Sequence, residues 1–291
     1  LLHYDGEDFE DVDIGEGFWA RGVWGSGRDD VYVVGSESSV AHFDGTSWET
    51  IRLSEAPFDF TGVWGSGPND VYVVGPSPND EDEENIFHFD GSEWRGVGIR
   101  GERLVMIDGT SSSNVYAIGD FTIAYFDGVQ WELRESSVFL EQVLAVEDHA
   151  VYLRTPLNLG RLDNGEVTLV ASFDGSSSAH SARLSALGYS SQLGFFLTSE
   201  EDIIYHSSDG EHWEQFTVGP NPNFVSLWGF DERPTFALSN RGLYAHNGTS
   251  WRLEPGTGGI VGRAIWGSSP ENTFFVGDDD MDLAANVDKL R

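Results

Sequence analysis

Two stretches of this chain repeat almost letter for letter, forty residues apart: VWGSGRDDVYVVG from Val23 and VWGSGPNDVYVVG from Val63. Weaker copies follow: MIDGTSSSNVYAIG (106–119), VLAVEDHAVYL from Val143, ALGYSSQLGFFL from Ala186, LWGFDERPTFAL from Leu227 and IWGSSPENTFFVG from Ile265. A second motif is interleaved with the first: HYDG from His3, HFDGTSW from His42, HFDGSEW from His88, YFDGVQW from Tyr125, RLDNG from Arg161, HSSDGEHW from His206 and AHNGTSW from Ala245. Each motif therefore occurs seven times, at a period of roughly 40 residues, the range of a propeller blade.

Both motifs read as β-hairpins. VYVVG, VYAIG and TFFVG are β-branched and aromatic runs closed by Gly, as strands are. GSGPND and GSSPEN are turn chemistry, and DG or NG between short apolar runs is a tight-turn signal in which both residues take φ > 0. One unit is thus strand a, a turn, strand b, a loop, strand c, a DG turn and strand d. Four-stranded antiparallel units at this period predict an all-β, seven-bladed β-propeller. The chain starts in strand c of a unit and ends soon after strand b of another, so residues 1–14 are expected to supply strands c and d to a blade whose strands a and b lie at the C-terminus. That closure leaves no free sheet edge; an open array of six and a half blades is the rival. The expected organisation is a single propeller over residues 1–277, with blades starting near 20, 60, 104, 142, 184, 224 and 262, and a tail over 278–291.

Charge narrows the partners. The chain has 49 acidic and 16 basic residues, a formal net charge of −33, with Lys289 its single lysine. Such a surface repels nucleic-acid backbones and anionic lipid, leaving solvation, cations or basic partners as the roles for its acids. There is no Cys, which removes disulfides, thiolate metal sites and thiol nucleophiles. No apolar run approaches the ~20 residues of a membrane span. The first residues lack the charged and apolar regions of a signal peptide, and the chain begins mid-pattern, as if a leader or an upstream segment had been removed. The expected product is an exported bacterial domain, periplasmic or at the cell surface, and monomeric.

The VWGSGPNDVYVVG…HFDGTSW pattern resembles the repeat of a large set of exported bacterial β-propeller proteins abundant in myxobacteria and their relatives. The resemblance spans residues 1 to about 277 and implies fold and export, but no particular activity. SSDGEHW from Ser207 also looks like the Asp-box of sialidases and related propellers with one residue dropped. That likeness implies structural roles for Asp209, Gly210 and Trp213, with Asp44, Asp90 and Asp127 as shortened equivalents beside Trp48, Trp94 and Trp131. It does not imply sialidase activity, because the Arg-Ile-Pro stretch of that family is missing.

Candidate chemistry is sparse. Trp24, Trp64, Trp228 and Trp266 share one repeat position, and Trp48, Trp94, Trp131, Trp213 and Trp251 another; large rings at fixed positions are expected to wedge neighbouring blades. Trp19 fits neither set and is the aromatic expected to be exposed in a d–a loop. His3, His42 and His88 occupy one position of strand c, one per blade, too far apart to share a metal. G-x-S-x-G and H-E-x-x-H are absent. Arg21 and Arg263 align on strand a, where they would either meet an anionic ligand or form buried ion pairs. NDEDEEN (79–85) and GDDDMD (277–282) follow strand b; Asp80, Asp82, Asp278, Asp279 and Asp280 are the candidate ligands for Ca²⁺, which takes six to eight oxygens, with a solvated charged loop as the plainer reading. The a–b and c–d turns repeat, whereas the b–c and d–a loops vary in length and composition. Function usually sits on irregular loops of a rigid scaffold, so the b–c/d–a face, with Trp19, Arg21 and Arg263, is the expected ligand-binding face. The expected role is non-enzymatic recognition of a protein or a glycan. A glycan-active hydrolase using loop carboxylates and a purely structural propeller are the alternatives.

Overall fold

A computed structural model describes residues 1–55, 57–76, 84–146, 150–163, 165–173, 183–200, 202–219, 222–230, 235–247, 249–255, 257 and 262–277. The chain is an all-β seven-bladed propeller with four antiparallel strands in each blade. At the N-terminus come β1 (Leu2–Tyr4) and β2 (Phe9–Asp11). Blade I is β3 (Ala20–Gly27), β4 (Asp30–Gly35), β5 (Ser39–Phe43) and β6 (Trp48–Arg52). Blade II is β7 (Gly62–Gly67), β8 (Asp70–Val74), β9 (Ile86–Phe89) and β10 (Trp94–Gly96). Blade III is β11 (Leu104–Ser111), β12 (Asn114–Gly119), β13 (Thr122–Phe126) and β14 (Trp131–Glu135). Blade IV is β15 (Gln142–Val146), β16 (Ala150–Arg154), β17 (Asn158–Asp163) and β18 (Glu166–Ser172). Blade V is β19 (Leu184–Ser190), β20 (Gly194–Ser199), β21 (Ile203–Ser207) and β22 (Glu214–Thr217). Blade VI is β23 (Phe224–Gly229), β24 (Thr235–Ser239), β25 (Gly242–His246) and β26 (Trp251–Leu253). Blade VII joins β27 (Gly262–Ser269) and β28 (Asn272–Gly277) to the first two strands, in the order β2-β1-β28-β27. The N-terminal strands complete the C-terminal blade, as the phase of the repeat predicts.

The chain divides into two compact units. One comprises Leu1–Val12, Pro156–Gly160 and Leu169–Arg291, the other Asp13–Thr155 and Arg161–Thr168. In the second, Val31, Val33 and Val34 of β4 and Val71, Val73 and Val74 of β8 are wholly buried. A strand covered on both faces needs an unbroken apolar run rather than an alternating one, which is why VYVV reads as it does. The core between blades I and II contains Tyr32, Val34, Phe60, Val71 and Val73. The first unit builds the same kind of layer between blades VI and VII from Leu2, Phe236, Leu238, Ile265 and Phe275.

The tryptophans pack as the repeat implies. The strand-d rings sit edge-to-face on the strand-b aromatic of the preceding blade: Trp94 on Tyr32 at 6.3 Å, Trp131 on Tyr72 at 6.0 Å and Trp251 on Phe196 at 5.6 Å. The strand-a rings lie over the next blade's strand a, at the glycine of its Trp-Gly pair or, in blade III, its Asp-Gly pair. A Cβ on Gly65 would come within 2.6 Å of Trp24 Cη2, and one on Gly109 within 2.7 Å of Trp64 Cη2. The glycine of VWG is thus the seat for its neighbour's tryptophan. Blade III departs from the pattern, with Asp108 opposite Tyr116 where Trp24 faces Tyr32.

The turns hold a second network. His42 stacks on Tyr32 at 4.1 Å and bonds Asp30 at 2.7 Å; His88 stacks on Tyr72 at 4.2 Å and bonds Asp70 at 2.6 Å. In blade VII the equivalent contacts join the chain ends, with His3 stacked on Phe274 at 4.4 Å and bonded to Asn272 at 2.8 Å. The DG turns correct one expectation. Only the glycine has positive φ, 89° at Gly45 and 88° at Gly91. The aspartate instead folds a four-residue loop with its side chain: Asp44 Oδ1 accepts from the N–H groups of Thr46 and Ser47, both at 2.9 Å. A carboxylate that bonds the backbone two and three residues on does the work assigned to a left-handed Asp.

Candidate functional site

In an antiparallel blade the b–c and d–a connections emerge on the side opposite the a–b and c–d turns. A cleft of about 830 Å³ opens between blades II and III, lined by Asp70, His88 and Val129 toward the turns, by Trp131 on strand d, and by Ile99 and Arg100 on the d–a connection. Its charged groups are partnered: His88 and the Ser66 hydroxyl bond Asp70, and Glu84 pairs with Arg100 at 2.8 Å. Burial works to raise the Asp70 carboxyl, but the bonds from His88 and Ser66 outweigh it and hold the group below its ordinary value. Asp70 is the one carboxylate among the described residues that line the cleft.

The loop side presents different chemistry. Among the described residues, the exposed Trp, Tyr and Phe side chains are Trp19 at 53%, Phe121 at 53% and Phe139 at 37%. All three lie on b–c or d–a connections of blades I, III and IV, within one compact unit. Exposed aliphatics such as Val129, Leu133 and Leu253 are scattered over outer strands and c–d turns as well, and single ones need no explanation. Phe121 and Phe139 form a pair, with ring centroids 5.5 Å apart and planes at 74°.

These loops are held by hydrogen bonds. The Trp19 N–H donates to Ser36 Oγ and the Ser36 N–H to the Trp19 carbonyl, each at 3.0 Å. The Ser136 N–H donates to the Phe121 carbonyl at 2.7 Å and the Leu140 N–H to the Asp120 carbonyl at 2.9 Å. The Ser136 hydroxyl donates to the Val138 carbonyl at 2.8 Å. Leu140 is 1% exposed and anchors the segment from below.

Of the residues singled out from sequence, Trp19 is exposed on the expected side. Arg21 is ion-paired: its Nε and Nη2 donate to Asp59 Oδ2 at 3.2 and 2.9 Å, with the arginine side chain 21% exposed. Arg263 is exposed at the start of β27 in the other compact unit. Asp80, Asp82, Asp278, Asp279 and Asp280 lie outside the described residues. Among the described residues no cluster of three or more His, Asp or Glu could hold a metal ion. Phe121 and Phe139 escape a reading based on repeats. Their signal is local: a phenylalanine directly after the Gly-Asp that ends strand b, and VFL in a serine-rich d–a loop where no strand alternation calls for apolar residues.

No protein-family profile and no curated protein matches the sequence. The fold is shared with solved propellers. A structure of YCF48 bound to D1 peptide superposes with a TM-score of 0.71 at 15% identity, covering 92% of this chain and 93% of that one. The extracellular domain of the putative one component system BT4673 from B. thetaiotaomicron gives 0.73 at 12% identity, over 93% of this chain and 39% of that one. Virginiamycin B lyase from Staphylococcus aureus gives 0.69 at 9% identity, over 86% and 88%. Likeness at these identities is likeness of fold, and the fold carries both binding proteins and an enzyme. No helix among the described residues is long and apolar enough to cross a membrane.

Proposed function

We propose that this chain is a non-catalytic interaction propeller of an exported protein, engaging another protein through its b–c/d–a loops. One observation carries the reading: the exposed aromatic side chains among the described residues all stand on that side, on loops held by their own hydrogen bonds. Aromatics on a pre-ordered surface are the usual anchors of protein recognition. The cleft between blades II and III supports the same reading, because a glycoside hydrolase needs two carboxylates and the described lining offers Asp70 alone, committed to His88 and Ser66. A YCF48 propeller holding a peptide and a propeller in an extracellular domain are precedents for this use of the fold and for export.

The test is a parallel screen of the immobilised full chain against phage-displayed random peptides and a glycan array. The reading predicts saturable peptide binding. That binding should weaken by about tenfold or more in a Trp19→Ser/Phe121→Ser/Phe139→Ser variant and hold in a turn-side Val129→Ser/Leu133→Ser variant. Selective glycan retention without peptide binding, or dependence on the turn-side pair, contradicts it.

A further inference from the structure

The three exposed aromatics do not have equivalent surroundings. Phe121 and Phe139 form an exposed apolar pair with the rings edge-to-face, and Val138, next to Phe139 in the chain, is exposed with it, each at 37%. Both connections that carry them are tied together by the bonds from Ser136 and Leu140, so little freedom remains to be lost on contact. The borders of this apolar patch are acidic. Asp120 precedes Phe121 and is exposed, and Glu135 is exposed one residue before Ser136. Glu102 is held at the same border by the Thr122 hydroxyl, which donates to its Oε2 at 2.7 Å, and Thr122 lies directly opposite Glu135 in the sheet. Arg103 is the exposed basic residue on this border. Arg154 contributes no outward charge, being 8% exposed and bonded to Glu141 at 2.5 Å.

We infer that this patch binds a protein segment in which one aliphatic or aromatic side chain is flanked by Lys or Arg. The inference rests on the loop-face reading above and adds the chemistry of the partner. The apolar residue seats against the Phe121–Phe139 pair and Val138. Its basic neighbours meet Asp120, Glu135 and Glu102. Complementary charge around an apolar anchor sets specificity and speeds encounter, and the chain's net charge of −33 draws basic segments toward it at long range. An acidic segment with the same anchor meets repulsion at every border carboxylate.

Three sets of synthetic peptides test this on the full chain by fluorescence anisotropy: Leu or Phe flanked by Lys and Arg, the same anchors flanked by Asp and Glu, and the same Lys and Arg around Ser. The first set should bind, and the other two should bind about tenfold more weakly or not at all. Phe121→Ser/Phe139→Ser should abolish the preference for an apolar anchor. Asp120→Lys/Glu135→Lys should weaken the basic set while leaving the melting temperature unchanged, since both side chains are exposed. Raising salt from about 0.1 M to about 1 M, which shortens the screening length from roughly 10 Å to 3 Å, should weaken the basic set. Equal binding of the acid-flanked set, lost on Phe121→Ser/Phe139→Ser, overturns the inferred chemistry and leaves the loop-face reading standing. Binding of basic peptides that ignores both the anchor and the two phenylalanines overturns the patch as the anchor site and reduces the interaction to surface charge. No binding by any set overturns the inference.

Discussion

Gly65→Ala should be among the most damaging single-methyl additions to this scaffold, although it lies in an ordinary strand. An added Cβ would stand 2.6 Å from Trp24 Cη2, 2.9 Å from Trp24 Cζ3 and 2.6 Å from the Asp70 carbonyl. Ordinary carbon contacts are about 3.5–4.0 Å, so something must move by about 1 Å. The carbonyl belongs to the paired strand. The Trp24 ring is partly buried and packs against two inter-blade clusters. Overpacking of this kind costs about 1–3 kcal/mol, and a clash with backbone as well as a ring puts Gly65→Ala near 3 kcal/mol. At about 2–4 °C per kcal/mol for a domain of this size, the melting temperature falls by roughly 6–12 °C. The internal control is Gly67→Ala, two residues on, where an added Cβ meets nothing within 4 Å. There the loss of unfolded-state freedom alone predicts a change between zero and about 1 kcal/mol of stabilisation. Thermal and urea unfolding of both variants, together with Gly65→Ala in a Trp24→Leu background, measure the effect and its coupling, expected at about 0.5–3 kcal/mol. If the two alanine variants unfold within about 0.5 kcal/mol of each other, the account of the VWG glycine as a seat for the neighbouring tryptophan is wrong.

Acid should weaken the c–d turns. Thr46 and Ser92 hydroxyls, then backbone N–H groups, push the Asp44 and Asp90 carboxyls down to about 2. Their stabilisation is therefore complete above the ordinary carboxylate range and fades as pH falls from about 4 toward 2; melting curves of Asp44→Asn/Asp90→Asn should have a flatter slope in that window. Asp108 acts with the opposite sign. Burial pushes its carboxyl up to about 7 against the N–H donors of Ala145 and Gly109, so its contribution is full below about 4 and is lost as pH rises to about 7. Carboxyl-carbon NMR should find a group titrating near neutrality that disappears in Asp108→Asn. Glu141→Ala takes the carboxylate from Arg154 in a site where the pair is 11% and 8% exposed, leaving the neutral Gln142 Oε1 at 3.2 Å, and should cost about 3 kcal/mol, much of it recovered in a Glu141→Ala/Arg154→Met variant.

The blades were legible because strand b is buried on both faces and so writes an unbroken apolar run, and because a turn that needs Gly, Ser, Pro and Asn advertises itself each time it recurs. The roles of Trp24 and Trp94 followed from position alone. The DG turn was misread in detail because Asp44 acts through its side chain, whereas the dipeptide rule speaks only of backbone angles. Asp108 sits in a visible copy of the motif, yet that it takes the tryptophan's place at an inter-blade contact emerges only once the sheets are stacked. Trp19 stood out by breaking both repeat positions. Phe121 and Phe139 belong to no repeat, and their pairing depends on two connections 18 residues apart that meet only through the fold. Repeat periodicity reveals scaffold well and exceptions poorly, and the proposed recognition surface is made of exceptions.

Hydroxyl-radical footprinting of the full chain, with and without a saturating peptide from the phage screen, tests the central claim most directly. The account predicts protection at Trp19, Phe121 and Phe139, with Val129, Trp131 and Leu133 reacting as in the free protein. Protection confined to those last three, on the cleft side, would contradict it.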